Sequence, residues 1–260
     1  VYGHFAYSAT NNPTLESIQL AFNNAVMLAE RSKDYSLYTF TIKERPKAQG
    51  EYRSPRRLEL DEASAGEIND LFIQACQEMK KREEIKSATV YAAMVHTQTH
   101  FVSTNGSDFF SDIVALSYEL SATAMAGNES QTRSWGNVNQ VGPEALGKDL
   151  LLQQAQRIRD EAIELLTATD CPTDTRDLLL HPDQMILQVH ESIGHPLELD
   201  RILGDERNYA GWSFVKAEDF GKLQYGSSLL NISFDPAVNT EIDSYQFDDT
   251  GNPATKEYII

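Results

Sequence analysis

From residue 88 to residue 126 the apolar pattern of this chain has a period of two, punctuated by Asn105-Gly106. Alternation at period two places one set of side chains on a single face of an extended strand. Asn-Gly is a strong hairpin signal, because both central residues of a type I′ turn take positive φ. The pattern predicts strands over 88–95, 100–104 and 109–126, forming a twisted antiparallel meander. The third run is long enough to curve or to outreach its partner.

Helical periodicity brackets this core. A first helix is expected near Asn12, with Pro13 at its first position and Leu15, Ile18, Phe22, Ala25, Val26 and Ala29 on its buried face. Residues 35–45 read as a strand or extended arm. Ser64 and Glu67 have capping-box spacing for a second helix, with a stripe of Ile68, Leu71, Phe72, Ala75 and Met79. Ser134-Trp135-Gly136 falls in a loop over 127–142. A long helix then opens at Pro143, burying Leu151, Ala155, Ile158, Ala162, Leu165 and Leu166, and stops before Cys171-Pro172. A short strand over 177–180 follows. Pro182 opens a helix to His195, which Met185, Ile186 and Val189 would anchor to the sheet.

The fold class expected is α+β: a twisted, mainly antiparallel sheet packed against long helices, with the last helix on the sheet. Residues 1–200 form the expected α/β N-terminal domain. Residues 201–260 carry strand-like pieces such as 228–234 and read as the beginning of a β-rich C-terminal domain, incomplete here. The turn Asp249-x-Gly251-x-Pro253 enters a terminal apolar strand with no return partner, which suggests a piece of a longer protein.

The 260 residues can bury a substantial core. Lys and Arg number 22 against 39 Asp and Glu, a formal net charge of −17, which repels phosphate backbones and argues against nucleic-acid binding. The basic run over 43–57 reads as an exposed loop, or as a contact patch for an acidic partner. No apolar run is long enough for a membrane span, and the opening residues lack a signal-peptide layout, so the expected location is cytoplasmic. Two cysteines make no disulfide framework. Cys76 is expected to be a buried thiol on the second helix. His96 and His100 share a strand face without an acidic or thiol neighbour and read as ordinary sheet surface.

The chemistry concentrates in His190-Glu191-Ser192-Ile193-Gly194-His195. Two histidines bracketing a glutamate suggest a hydrolytic metal site, in which the glutamate adjacent to the first histidine is the general base. The spacing objects. At about 100° per residue, positions five apart diverge by roughly 140° on a regular helix. Pro196 lacks the N–H that would bond the Ser192 carbonyl, and Gly194 adds backbone freedom. A π-bulge, or a helix ending that swings His195 back, would restore a one-turn spacing. The bare pattern leaves two readings open, a metal site or a pair of structural histidines.

The stretch from His190 through Pro196, Glu198 and Asp200 to Asn208-Tyr209-Ala210-Gly211 resembles the signature of the TldD/PmbA family, formerly called modulators of DNA gyrase. The resemblance also takes in the Asn105-Gly106 hairpin, the Ser134-Trp135-Gly136 segment, the Pro143 helix and the Asp249-x-Gly251-x-Pro253 turn. It covers residues 88–258 well, and more loosely the segment from Tyr2 through the first helix. Retention of both histidines and the glutamate resembles the TldD-like subunit. That resemblance implies a zinc metallopeptidase acting on unfolded or leader peptides, with His190 and His195 as ligands and Glu191 as base. It further implies a third ligand, a cysteine, outside this chain, and a homo-oligomer or a heteromer with a PmbA/TldE-like subunit. The alternative is a non-catalytic, gyrase-modulator-like binding protein whose histidines are structural.

Overall fold

A computed structural model describes residues 3–36, 39 and 46–260. Most of the arm expected over 35–45 lies outside these residues, as do Tyr2, Lys43 and Arg45. The chain divides into two compact units, one from Val1–Glu44 and Asp174–Leu229, the other from Arg45–Thr173 and Leu230–Ile260.

The second unit holds the sheet. Strands β2 (Ile85–Val102), β3 (Asp108–Ala126) and β4 (Glu129–Asn139) form the antiparallel meander, and β1 (Gln49–Arg53) runs parallel to β3. Gly106, at φ 85°, turns the first hairpin, and Gly127, at φ 60°, turns the second. The structure corrects the expected strands at two places. The runs over 88–95 and 100–104 are one strand, because His96 and Thr97 pair with Val114 and Ile113 without a break. Ser134-Trp135-Gly136 is strand rather than loop, with Trp135 opposite Leu120. A glycine is required at 136 by close approach, since a Cβ there would lie 2.5 Å from the Tyr118 carbonyl oxygen.

Helices α2 (Ala65–Met79) and α3 (Lys148–Leu165) cover one face of this sheet. The Ser64 hydroxyl accepts the Glu67 N–H, as the capping-box spacing predicts. On α3 the spacing of Leu151, Ala155, Ile158 and Ala162 makes a single stripe, and all four are fully buried against Leu116, Tyr118, Leu120 and Ala122 of β3. Burying each large aliphatic side chain contributes about 1.5–3 kcal/mol. Cys76 is half-buried in this layer; burial pushes its thiol up, and its Sγ lies 3.7 Å from the Ala88 carbonyl oxygen.

In its first half β3 also buries the opposite set of side chains. Phe109 stacks on Phe101 with ring centroids 4.9 Å apart and meets Phe247 at 5.0 Å. Strands β5 (Ser233–Phe234) and β6 (Glu257–Tyr258) pair antiparallel, so the terminal apolar run does have a return partner. The longer strand expected over 228–234 shortens to β5 alone.

The first unit contains no strand among its described residues, and the short strand expected over 177–180 is irregular chain, with Leu178 and Leu179 exposed. Helix α1 (Leu15–Ser32) is capped by Thr14, whose hydroxyl accepts the Ser17 N–H, two residues later than Pro13 suggests. Its buried residue is Ala29, while Leu15, Ile18 and Phe22 are exposed. Periodicity identifies an amphipathic face but not what covers it.

Candidate metal centre

The motif sits in the first unit. His181 is the N-cap of α4 (Pro182–Val189), and Pro182 takes the first helical position, where its missing N–H costs nothing. Ile186 is exposed on this helix, and the buried anchor is Ile193, two turns further on.

At His190 the helix changes register. Residues His190–Gly194 form a π-turn in which the His195 N–H reaches the His190 carbonyl, before α5 (His195–Leu197) resumes. The five-residue spacing is thereby wound into a single turn. The two imidazole rings lie 4.3 Å apart between centroids, nearly perpendicular at 82°. Ligand atoms of His190, Glu191 and His195 all lie within 4.8 Å of one another, two exposed residues and one partly buried.

Pro196 and Gly194 divide the credit unequally. Pro196 has no N–H to offer the Ser192 carbonyl, and that carbonyl instead accepts the hydroxyl of Tyr225. Gly194 stays in the right-handed region at φ −55°, and a Cβ added there would make only an ordinary contact, 3.8 Å from the Val189 carbonyl oxygen. The proline therefore shapes the turn, with no demand on glycine geometry. Sequence reasoning missed Tyr225, which lies 33 positions from Ser192 and packs its ring on Phe214 at 5.7 Å.

Beyond the turn, Glu198 precedes α6 (Leu199–Leu203), which closes on Gly204 at φ 92°. Nδ1 of His195 lies 2.7 Å from Oε1 of Glu198 and 3.1 Å from Nη2 of Arg201. These contacts ask for opposite tautomers. The shorter one, to a carboxylate that Arg201 Nε also grips, favours a proton on Nδ1 and leaves Nε2 with its lone pair. The bond from His195 holds the Glu198 carboxyl below the usual range, burial opposes it, and Arg201 reinforces it. Arg201 in turn donates to the Ala210 carbonyl at 2.8 Å, tying the group to the segment after α6.

Other residues singled out by sequence belong to the sheet-bearing unit. Cys76 and Cys171 are among them, Cys171 exposed. His96 and His100 do have acidic neighbours, across the strand pair rather than along the chain: Asp112 at 2.8 Å and Asp108 at 2.7 Å. Asp112 also receives Arg56 at 2.8 Å, and Arg56 bonds Glu59. The Arg56 side chain is 2% exposed, so this part of the basic run is a buried ion-pair network rather than a solvated loop.

No protein-family model matches the chain. It is 24% identical over 263 residues to a metalloprotease of Methanocaldococcus jannaschii, an alignment covering 98% of this chain and 54% of that protein. It is 26% identical over 180 residues to a metalloprotease of Methanothermobacter thermautotrophicus, covering 68% and 37% respectively. The chain thus spans about half the length of the first relative and a smaller share of the second. Among solved structures it is similar to a Thermotoga maritima protein described as a modulator of DNA gyrase, with TM-score 0.66, 19% identity, and coverage of 96% of this chain and 54% of that one. It is also similar to TldE of Thermococcus kodakarensis, with TM-score 0.65, 11% identity, and coverage of 100% and 55%. At these identities the structural likenesses establish the mixed α/β fold.

Proposed function

From a resemblance to the TldD/PmbA family that holds in fold as well as in motif, we propose that the chain carries the catalytic motif of a zinc metallopeptidase acting on extended, unfolded or leader peptides. The observation that supports this most is the π-turn, which brings His190, Glu191 and His195 within reach of one ion.

The donor set fits. Two imidazoles are ligand chemistry for a borderline-soft divalent cation, and the adjacent carboxylate is left for proton transfer. His190 and His195 would hold it, and a cysteine from outside these 260 residues would be the third protein ligand. Such a metal supplies Lewis acidity, which polarises a peptide carbonyl and makes water a nucleophile near neutral pH. Glu191 accepts the proton of the attacking water as the C–O bond forms, then returns it to the departing amine nitrogen as the C–N bond breaks. Glu198 would hold the His195 ring through Nδ1 and leave Nε2 as the nitrogen free to act as a ligand. The family resemblance carries with it a working assembly that is a homo-oligomer or a pair with a PmbA/TldE-like subunit.

Metal content of the intact protein by mass spectrometry, and cleavage of an unfolded peptide with and without chelator, test this reading. Glu191→Gln should keep the metal and lose cleavage. Cleavage that persists in this variant would overturn the mechanism. A protein without metal whose partner binding survives His190→Ala would instead be the non-catalytic, gyrase-modulator-like binder.

A further inference from the structure

Within the sheet-bearing unit, the face of β2 and β3 that the helices leave uncovered is roofed at one end by the segment over 242–249, enclosing a groove of about 580 Å³. Its floor is made by same-face residues of the two strands, Thr97, Thr99, Ser111 and Ile113. The stacked Phe101 and Phe109 form one wall with Phe247 beside them. Three carboxylates stand on the lining, those of Asp243, Asp248 and Asp249, and no Lys or Arg is among the described lining residues.

The three acids are not equivalent. Asp248 Oδ1 accepts the backbone N–H groups of Thr250 and Asn252, so that carboxylate is used in building its own turn. Asp243 and Asp249 have no ion-pair partner among the described residues and are exposed at the mouth. The field of Asp248 and Asp249 is felt locally: the Tyr245 hydroxyl is pushed up first by burial, then by these two carboxylates.

From this complementarity we infer that the groove binds a basic segment of an extended peptide, with a lysine or arginine stem along the partly exposed Phe101 ring, which the buried Phe109 backs, and its charge at Asp243 and Asp249. Long basic side chains divide in this way, apolar stem on an apolar wall and cationic head at a wet, acidic rim. Aromatic faces add cation–π attraction. The volume suits one or two side chains, not a folded partner. The threonine and serine hydroxyls on the floor offer hydrogen bonds to a passing backbone. The net charge of −17 draws basic segments toward the whole molecule, and the groove supplies the place where they stop. This inference does not rest on the hydrolytic reading, since the groove and the π-turn belong to different units.

Fluorescence anisotropy with a labelled decapeptide of lysine, alanine and leucine tests it, using the Glu191→Gln chain so that cleavage cannot interfere. The lysine peptide should bind, and its glutamate counterpart should not. Asp243→Asn with Asp249→Asn should weaken binding roughly tenfold, the sum of two modest ion pairs. Glu129→Gln with Glu164→Gln removes the same charge from exposed positions elsewhere in that unit and should have little effect. Equal weakening by both double variants would reduce the attraction to net charge and overturn the groove. Equal competition by spermidine at matched concentration would overturn the peptide assignment in favour of a bare polyamine. Phe101→Ala should weaken the lysine peptide without altering its salt dependence; unchanged affinity would remove the aromatic wall from the site.

Discussion

His195 and Glu198, three residues apart and directly after the π-turn, are joined by a 2.7 Å contact from ring Nδ1 to carboxylate Oε1. A carboxylate behind a ligating histidine fixes ring orientation and raises its basicity. Glu198→Gln keeps the shape and removes the charge. Metal affinity, measured by competition with a chromophoric chelator, should fall about 10- to 100-fold, with the helical circular dichroism unchanged. An unaltered affinity would make the pair a local structural contact.

A second prediction concerns the close approach at Gly136. A methyl group there would press on the Tyr118 carbonyl oxygen at 2.5 Å, and that oxygen belongs to the central strand. Gly136→Ala should therefore cost about 1–3 kcal/mol in denaturant unfolding, despite the higher strand propensity of alanine. A neutral result would mean that β4 can move away from β3 without penalty.

Ile158 is fully buried between α3 and the sheet. Ile158→Ala leaves a cavity that close-packed neighbours fill only partly, so a loss of about 2–5 kcal/mol is expected in urea titration. The exposed Ile186 on α4 is the matched control. Its alanine variant should change stability by less than about 0.5 kcal/mol.

Asp112 gives a pH-dependent test. Burial works to raise its carboxyl, but bonds from His96 and Arg56 outweigh burial and hold it below the usual range. A carboxyl depressed in the folded state adds stability above its unfolded value, and that stability is lost as pH falls through the folded value. Asp112→Asn leaves the buried Arg56 guanidinium with Glu59 as its one carboxylate partner among the described residues and should cost about 2–3 kcal/mol at neutral pH. The gap between the variant and the parent should narrow below about pH 4, where the unfolded carboxyl protonates. A gap independent of pH would mean that the bonds, not the charge, matter.

What the sequence made legible follows from range. The α3 stripe, the Ser64 cap and the Asn105-Gly106 hairpin depend on neighbours within a few residues, and each appears where the pattern puts it. The odd histidine spacing was also locally legible, because only a π-turn or a broken helix could reconcile it with one ion. What was hidden depends on partners distant in sequence. The aspartates beside His96 and His100 arrive by strand register, and the Tyr225 hydroxyl on Ser192 arrives from beyond α6. Burial of Arg56 likewise depends on Asp112, 56 positions away. The exposed apolar face of α1 marks the same limit from the other side, since a stripe in the sequence does not name its cover.

Each compact unit is assembled from two stretches of chain that are separated in sequence. During synthesis the α1 segment emerges before the meander but cannot complete its unit until residues 174–229 follow, after the entire meander has been made. The sheet-bearing unit in turn waits for residues 230–260, which carry Phe247 and the strand pair β5–β6. No single cut in the backbone therefore releases either unit whole. A stop codon shortly after α3 would leave an orphaned first helix and a sheet with one aromatic face unroofed, so dissection into halves should proceed by paired excision rather than simple truncation.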